Sequence, residues 1–328
     1  MKTAKIRLSR TFLVLLHTSL FFYTCVFIPS CKDQNKDQNK DDGFQNGCLQ
    51  FVDKEMERFI IEQLHWDVDH NNCLTRNEID SIKHHTLDID DLDDNGRVDF
   101  YPFQGKLCDN YAIKTLDDLA HIPQIDAIYG FHDCKSLETA HLPNIRTIGN
   151  FKGCSNLREI DFTNLERLPE EAFADCTALT RVEFPQVEAV GASAFYGAMK
   201  IQEIILPNAW ELPNRLDIKE FYDKNGYYPG NYYIISDSPV LKKLVLSSPR
   251  IKRDCPLDES SNRKNYHACV LINPLKDELS KQVKLVLNES TKPYVEFRDG
   301  APYRWANAEW KSIQFVGLFT PLLDIFNF

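Results

Sequence analysis

The chain has 328 residues, 43% of them hydrophobic, and a formal net charge of −10. Residues 1–30 hold four basic side chains and no acidic ones, so the remainder carries 34 basic against 48 acidic residues, a net charge of −14. A chain of this length and apolar content can bury a substantial core. The acidic balance argues against nucleic acid and anionic lipid as partners.

The N-terminus predicts a signal peptide and a tether. Four basic residues precede the apolar run TFLVLLHTSLFFYTCVFIPS, and the polar repeat CKDQNKDQNKDD follows it. Ser30 before Cys31 resembles a lipobox. We therefore expect a lipoprotein signal peptide over residues 1–30, a lipidated Cys31 and a flexible tether over residues 31–47. The alternative is an uncleaved membrane anchor, because the apolar run is nearly long enough to span a bilayer.

The segment DVDHNNCLTRNE, residues 67–78 and here called the acidic loop, has the ligand spacing of an EF-hand. The predicted Ca²⁺ ligands are Asp67, Asp69, Asn71, the main-chain carbonyl of Cys73, Thr75 through a water, and bidentate Glu78. Position 6 holds Asn72 where Gly is usual, and Asn also tolerates the left-handed backbone of the turn. The alternative is an acidic loop that binds no metal.

Helices are predicted on both sides of the acidic loop. DKEMERFIIEQLHW places Met56, Phe59, Ile60 and Leu64 on one helical face after Asp53, a residue suited to cap the helix. EIDSIKHH predicts a second helix after the loop. Because crowded carboxylates repel each other until a cation neutralises them, the expected role of calcium is to stabilise the fold.

A second acidic segment, DLDDNGRVDFYP, is a weaker metal candidate. Its possible ligands are Asp91, Asp93, Asn95 and Asp99. Position 12 is Pro102, so the bidentate carboxylate is missing. Two interpretations stay open: a degenerate partner loop that pairs Val98 with Leu74, and a β-turn after the strand LDI, which is favoured.

One phrase occurs four times between Phe131 and Leu212. The copies are FHDCKSLETAHLPNIRTI, FKGCSNLREIDFTNLERL, FADCTALTRVEFPQVEAV and FYGAMKIQEIILPNAWEL, beginning at Phe131, Phe151, Phe173 and Phe195. A period in this range is the signature of a solenoid, in which neighbouring repeats bury each other's apolar face. The Phe positions, and Cys134, Cys154 and Cys176 at the third position after each Phe, are expected in the stacked core, with all three thiols reduced.

The phrase F-x-x-C-x-x-L-x-x-[IV]-x-[LF]-P resembles the BspA-type leucine-rich repeat of bacterial surface proteins. Weaker copies flank it: LAHIPQIDAIYG before, and VLKKLVLSSPRIKR, QVKLVLNE and EWKSIQFVG after. The resemblance implies a β-rich α+β chain whose right-handed solenoid spans residues 105–328, after an EF-hand unit over residues 48–104. The Lys/Asp-rich tether is similar to the surface-export signals of Bacteroidetes lipoproteins, which implies a lipid-anchored location on the outer membrane or cell surface.

Ligand binding is expected where the period is broken. The segment 217–237 carries Tyr222, Tyr227, Tyr228, Tyr232 and Tyr233, and exposed Tyr suits contact with proteins and sugar rings. The favoured alternative is a hairpin whose Tyr side chains pack on the adjacent repeat. A later insertion contains Cys255 and Cys269, which could form a disulfide in an oxidising compartment.

The segments that resemble catalytic motifs are incomplete. The segment Gly191–Phe195, GASAF, begins like a nucleophile elbow but ends in Phe and belongs to the repeat phase. Zinc-protease and phosphate-loop motifs are absent from the sequence. The sequence therefore favours a monomeric, non-enzymatic surface module for interaction or adhesion. The alternative is a glycan-capture accessory protein, and a hydrolase subunit has no sequence feature to support it.

Overall fold

The computed structural model describes residues 43–83, 85–88, 108, 111–212, 234, 238–251, 280–306 and 308–317. All of these residues lie in one compact unit that runs from Gly43 to Phe328. The signal peptide and Cys31 lie outside the described residues. In the part of the chain that is described, no helix is both long and apolar enough to cross a membrane.

A short antiparallel hairpin opens the described chain. It consists of β1 (Phe44–Gln45) and β2 (Cys48–Leu49). The two residues between the strands, Asn46 and Gly47, have φ of 52° and 85°. Left-handed backbone at both turn residues is typical of a type I′ hairpin, for which Asn-Gly is a preferred pair. Residues 43–47, which form the end of the predicted tether (31–47), therefore belong to the folded unit.

Two helices flank the acidic loop as predicted, α1 (Lys54–Glu62) and α2 (Arg76–Ser81). Asp53 caps α1 by accepting hydrogen bonds from N–H groups of its first turn. The α2 helix begins at Arg76, before the segment EIDSIKHH, because Thr75 and Glu78 form a capping box, and it ends earlier than predicted. The predicted apolar face is buried at Met56, Phe59, Ile60 and Leu64.

The regular elements in the rest of the described chain are mostly short strands. In chain order they are β3 (Thr86–Asp88), β4 (Ala127–Tyr129), β5 (Thr139–His141), β6 (Thr147–Ile148), β7 (Glu159–Asp161), β8 (Arg167–Leu168), β9 (Arg181–Glu183), β10 (Ala189–Val190), β11 (Glu203–Ile205), β12 (Lys243–Leu246), β13 (Lys284–Asn288), β14 (Glu296–Arg298), β15 (Ala301–Trp305), β16 (Ala308–Glu309) and β17 (Ser312–Val316). Within the same described residues, 3₁₀ helices span Asp117–His121, Ser280–Gln282 and Glu289–Tyr294.

The repeats stack their strands into two parallel ladders. In the first, β5 pairs with β7, and β9, β11, β12, β13 and β17 form a five-stranded sheet in that order. Ile204 stands in register with Val182 on one side and Leu244 on the other. In the second, β3, β4 and β6 form one sheet, and β8 pairs with β10. The predicted strands in QVKLVLNE and EWKSIQFVG are therefore confirmed, whereas the right-handed winding stays a prediction.

Two turns of the array are nearly twice as long as the others. The strands β9 and β11, which pair directly, start at Arg181 and Glu203. The next two strands of the sheet, β12 and β13, start only at Lys243 and Lys284, although they too pair directly with their neighbours. Both of these later turns therefore contain extra chain. The predicted Tyr-rich insertion, 217–237, falls in the first of them, almost wholly outside the described residues.

A column of Phe rings runs through the core of the repeats. Phe131, Phe151, Phe173 and Phe195 are at most 2% exposed, and their successive ring centroids are 6.0, 5.6 and 6.0 Å apart. Adjacent rings are nearly parallel, with interplanar angles of 16°, 6° and 8°. Identical side chains at one repeat position thus contact each other directly, which is how each repeat stabilises the next.

The Cys column departs from its prediction at one position. Cys154 and Cys176 are free and buried, as expected, and burial raises the pKa of the Cys154 thiol to about 12. Cys134 is instead bonded to Cys108, with 5.0 Å between their Cα atoms. The expectation of three reduced thiols is therefore wrong for Cys134. Its partner lies ahead of the four phrases, so the repeat pattern gave no sign of the bond.

The residue before each Cys position has left-handed backbone. Asp133 and Asp175 have φ of 57°, and Gly153 and Gly197 have φ of 77° and 68°. Asp and Gly thus alternate from one repeat to the next. A Cβ added to Gly153 would overlap with the carboxylate of Asp133, and one added to Gly197 would overlap with that of Asp175. Each Asp side chain fills the space that the following Gly leaves open.

We expect Gly153→Ala to destabilise the protein more than Gly300→Ala. Both glycines have left-handed backbone, but a Cβ on Gly300 would meet no atom within 4 Å. Both substitutions therefore share the strain of a left-handed Ala, and only Gly153→Ala adds the overlap with the exposed carboxylate of Asp133, whose displacement costs about 0.5–1.5 kcal/mol more. Denaturant midpoints measure the difference. Asp133→Gly should rescue much of the loss at Gly153, and no rescue would contradict the explanation.

An antiparallel sheet of β14, β15 and β16 lies between the last two strands of the first ladder in sequence. Trp305 and Trp310 are buried at its end, and the indole N–H of Trp310 donates to the Trp305 carbonyl at 2.9 Å. Trp310 lies two residues before β17, the strand of the segment EWKSIQFVG. These two Trp residues contribute the largest side chains of the C-terminal core.

Candidate metal centre

The acidic loop lies between α1 and α2 and contains a buried carboxylate. Asp67 is 1% exposed. Its Oδ1 accepts a hydrogen bond from the backbone N–H of Asn71 at 3.2 Å, and its Oδ2 accepts one from the N–H of Asn72 at 2.7 Å. Asn72 has φ of 60°, the left-handed conformation that the sequence required at position 6. The loop therefore folds around its first residue.

Glu78 closes the loop from the other end. Its Oε1 accepts from the N–H of Val68 at 2.8 Å, and its Oε2 accepts from the N–H and hydroxyl of Thr75 at 2.9 and 2.8 Å. Burial raises the pKa of Glu78, but the bonds from Thr75, Val68 and Asp69 outweigh that effect, so the pKa lies below its usual value. Glu78 is thus held as a carboxylate beside the first residues of the loop.

The structure brings three of the predicted ligands into one cluster. Oxygen atoms of Asp67, Asp69 and Glu78 all lie within 4.8 Å of one another. Among the described residues, no Lys, Arg or His forms an ion pair with any of the three. Carboxylates this close repel each other unless a proton or a cation intervenes. A compact set of carboxylate oxygens fits Ca²⁺, a hard cation that prefers oxygen ligands.

The remaining predicted ligands belong to the same loop. The side-chain amide of Asn71 donates to Asp69 Oδ2 at 2.9 Å, and Thr75 is half-buried against Glu78. The side chain of Cys73 is occupied by a disulfide, so only its main-chain carbonyl is available for a metal, as predicted. All six residues of the predicted set are therefore held near each other by bonds within the loop and by this disulfide.

A hairpin that was not predicted from the sequence supports the acidic loop. Cys48 in β2 is bonded to Cys73, with 5.2 Å between the Cα atoms. The N–H of Leu49 donates to the carbonyl of Leu74 at 2.9 Å, and Cys48 forms an isolated bridge with Thr75. The Asn-Gly pair between β1 and β2 was the sequence signal that could have revealed this hairpin.

Two buried carboxylates join this N-terminal region to the first repeat. Asp53 Oδ2 accepts from the N–H groups of Lys114 and Thr115, while its Oδ1 caps α1. Asp118 is 1% exposed and accepts from the N–H groups of Val52 and Asp53 at 2.8 and 2.9 Å. Burial raises the pKa of Asp118 despite these bonds. The described residues on the two sides of the predicted boundary, 48–104 and 105–328, thus share one hydrophobic core.

Three other predicted sites lie outside the described residues. They are the lipidation site at Cys31, the second acidic segment with Asp91, Asp93, Asn95 and Asp99, and the Tyr-rich segment with Tyr222, Tyr227, Tyr228, Tyr232 and Tyr233. The possible bond between Cys255 and Cys269 lies there too. Ser193, the centre of the elbow-like segment, is 4% exposed and sits in a turn between repeats.

Two solved structures of leucine-rich repeat proteins are similar to part of this chain. A leucine-rich cell surface protein from Faecalibacterium prausnitzii has 20% identity and a TM-score of 0.29, over 37% of this chain and 29% of its own. The leucine-rich repeat protein of T. pallidum has 19% identity and a TM-score of 0.31, over 50% of this chain and 66% of its own. Because both TM-scores are below 0.5, neither structure carries an inference about function.

The repeats themselves match a family model. No curated protein matches the chain. The model described as "BspA type Leucine rich repeat region" matches residues 108–217 in six copies. This range contains the four phrases, and it extends ahead of them over the degenerate copy that begins at Leu119. Residues 108–217 of this chain therefore form a BspA-type leucine-rich repeat region.

Proposed function

We propose that this protein is a lipid-anchored module of the bacterial cell surface, which binds a partner without catalysis and carries a structural Ca²⁺ in its acidic loop. The observation that carries the proposal is the BspA-type leucine-rich repeat region over residues 108–217. Stacked repeats present an extended surface that suits protein recognition. The signal-like N-terminus and the polar tether before residue 48 support a surface location.

The outward face of β5, β7 and β9, at the start of the first ladder, is the surface we assign to the partner. Along these three strands, the side chains that alternate with the core are Thr139, His141, Glu159, Asp161, Arg181 and Glu183. Farther along the ladder the outward positions Ile205, Val245 and Val286 are buried. Ion pairs cross this face: Arg181 lies 2.6 Å from Glu183 and 3.4 Å from Glu203. A rigid face of paired charges favours selective contact with a folded protein, because a wrong partner leaves charges unpaired.

The partner can be sought with the chain that begins after Cys31. We expect saturable binding to a protein of a host-matrix panel, and we expect Arg181→Glu to weaken it at least fivefold. Arg146→Glu, which changes the same charge beside the second ladder, is the matched control and should bind normally. Binding confined to a glycan array would favour the glycan-capture alternative instead. Equal effects of the two variants would remove the first ladder as the binding face.

Ca²⁺ binding rests on the cluster of Asp67, Asp69 and Glu78, whose oxygens lie within 4.8 Å. These carboxylates, with Asn71, Thr75 and the carbonyl of Cys73, would hold the ion. When bound, the ion supplies positive charge that offsets the repulsion among the carboxylates. Because the loop is tied to α1, α2 and β2, its stabilisation is expected to extend to the folded unit around it.

Calcium is expected to raise the melting temperature, and EGTA to lower it. At about 100 times the dissociation constant, a ligand that binds only the folded state adds about 2.7 kcal/mol of stability. Glu78→Gln should abolish the calcium effect because it removes the bidentate carboxylate. Glu166→Gln, in an exposed pair with Arg146 at 3.3 Å, is the matched control and should keep the effect. Equal melting of the wild-type protein in calcium and in EGTA would refute the site.

Lipidation of Cys31 is tested separately in cells. We expect the wild-type protein to incorporate a labelled fatty acid and to fractionate with membranes. Cys31→Ala should lose the label. Membrane fractionation of Cys31→Ala at the wild-type level, without label, would instead support an uncleaved apolar anchor.

A further inference from the structure

The hairpin of β1 and β2 contacts the acidic loop at three successive backbone positions. Cys48 is bonded to Cys73, Leu49 donates its N–H to the Leu74 carbonyl at 2.9 Å, and Cys48 forms a β-bridge with Thr75. Leu49 and Leu74 are 3% and 1% exposed, so the contact is part of the core. The hairpin therefore fixes the second half of the loop both covalently and through the backbone.

The fixed positions include two of the proposed ligands. Cys73 is expected to offer its main-chain carbonyl, and Thr75 binds Glu78 through its N–H and hydroxyl. On the other side of the hairpin, the guanidinium of Arg76 lies 4.1 Å from the centre of the Phe44 ring. Residues 73–76 are thus held by a segment that contributes no ligand itself.

We propose that the Cys48–Cys73 disulfide and its hairpin position the acidic loop for calcium, so that loss of this one disulfide weakens calcium binding. The inference rests on the calcium site proposed above. A loop that is ordered before the ion arrives binds more tightly, because binding no longer has to order it. Groups that support metal ligands from behind commonly change metal affinity by about 10–100-fold when they are removed.

The second disulfide provides a matched control. Cys48–Cys73 and Cys108–Cys134 join residues 25 and 26 positions apart, so they close loops of nearly equal length. Loss of either bond should therefore raise the entropy of the unfolded chain by a similar amount, and lower the stability of the folded protein accordingly. Only the first bond reaches the acidic loop. Alanine is suited to the control because Ala198 occupies the position of Cys134 in the fourth phrase.

The test compares Cys48→Ala/Cys73→Ala with Cys108→Ala/Cys134→Ala and the wild-type protein. Calcium affinity is measured by calorimetric titration, and circular dichroism in EGTA checks that each protein is folded. The first variant keeps every ligand atom, since the ligand at Cys73 is main-chain. We expect its affinity to fall by about 10–100-fold, and that of the second variant to stay within about twofold of wild type.

Each outcome bears on the inference. Unchanged affinity in Cys48→Ala/Cys73→Ala overturns it and leaves the calcium site standing. An equal loss in both variants also overturns it, because the effect would then follow global stability. Absence of calcium binding in the wild-type protein refutes the site and the inference together. If the first variant does not fold, Phe44→Ala replaces it: a weaker affinity supports the inference, and wild-type affinity contradicts it.

Discussion

Phe173→Ala is expected to lower the free energy of unfolding by about 3–5 kcal/mol, the cost of removing a large aromatic side chain from a packed core. Phe173 is fully buried in the middle of the Phe column. Its ring centroid lies between 5.6 and 6.3 Å from four others, those of Phe151, Phe162, Phe184 and Phe195. The substitution therefore weakens the contacts of one repeat with both of its neighbours. Guanidinium denaturation followed by circular dichroism measures the loss.

Phe297→Ala is the matched control for this prediction. Phe297 is 44% exposed, and among the described residues its ring stacks on that of Phe315, with 6.5 Å between the ring centroids. Its truncation opens no buried cavity, so a loss of less than about 1 kcal/mol is expected. Similar losses for Phe173→Ala and Phe297→Ala would mean that the Phe column does not hold the repeats together.

Asp53→Ala is expected to cost about 3–5 kcal/mol, far more than an ordinary helix cap. The side chain accepts hydrogen bonds from four backbone N–H groups, two in α1 and two in the first repeat, at Lys114 and Thr115. Loss of the cap accounts for about 0.5–2 kcal/mol. Each of the partly buried N–H groups of Lys114 and Thr115 adds up to about 3 kcal/mol when it is left without an acceptor. Equilibrium unfolding in denaturant measures the total.

Asn288→Ala separates the two roles of Asp53. Asn288 is 4% exposed and caps a 3₁₀ helix, where its side chain accepts one hydrogen bond from a described residue, the N–H of Ser290 at 3.0 Å. It should therefore cost only about 0.5–2 kcal/mol. Asp53→Asn, which keeps one acceptor oxygen, is expected to fall between the two alanine variants. A loss at Asp53 no larger than that at Asn288 would show that the bonds to Lys114 and Thr115 add nothing.

The repeat core was predictable because each position appeared four times. Phe131 and its three equivalents share one environment, and a single period therefore assigns all of them to the core. The lengths of the two long turns were harder to predict from the sequence. The pairing of Glu203 with Lys243 in the structure shows that strands so distant in sequence are neighbours in the sheet. The bond between Cys108 and Cys134 was missed for a related reason: pairing depends on proximity in space, and spacing in the sequence does not determine it.

The candidate site was predictable where its chemistry is local. The spacing of Asp67, Asp69 and Glu78 anticipated the cluster, because a single loop determines their distances. Asp53 was identified as a helix cap, but its bonds to residues 61 and 62 positions away could not be read from local sequence. Nothing in the local sequence indicated that Asp118 would be buried. Its burial follows from the contact between α1 and the first repeat, which arises only in the folded chain.

The alternation of Asp and Gly before the Cys position makes a pair of repeats the unit by which this array can change length. Excision of residues 151–172 would bring Asp133 beside Asp175, although in the native array each of these Asp side chains lies against a glycine of the following repeat. Excision of residues 151–194 would bring Asp133 beside Gly197 and restore the native neighbour. Shortened or duplicated versions of this chain, natural or engineered, should therefore gain or lose these repeats two at a time.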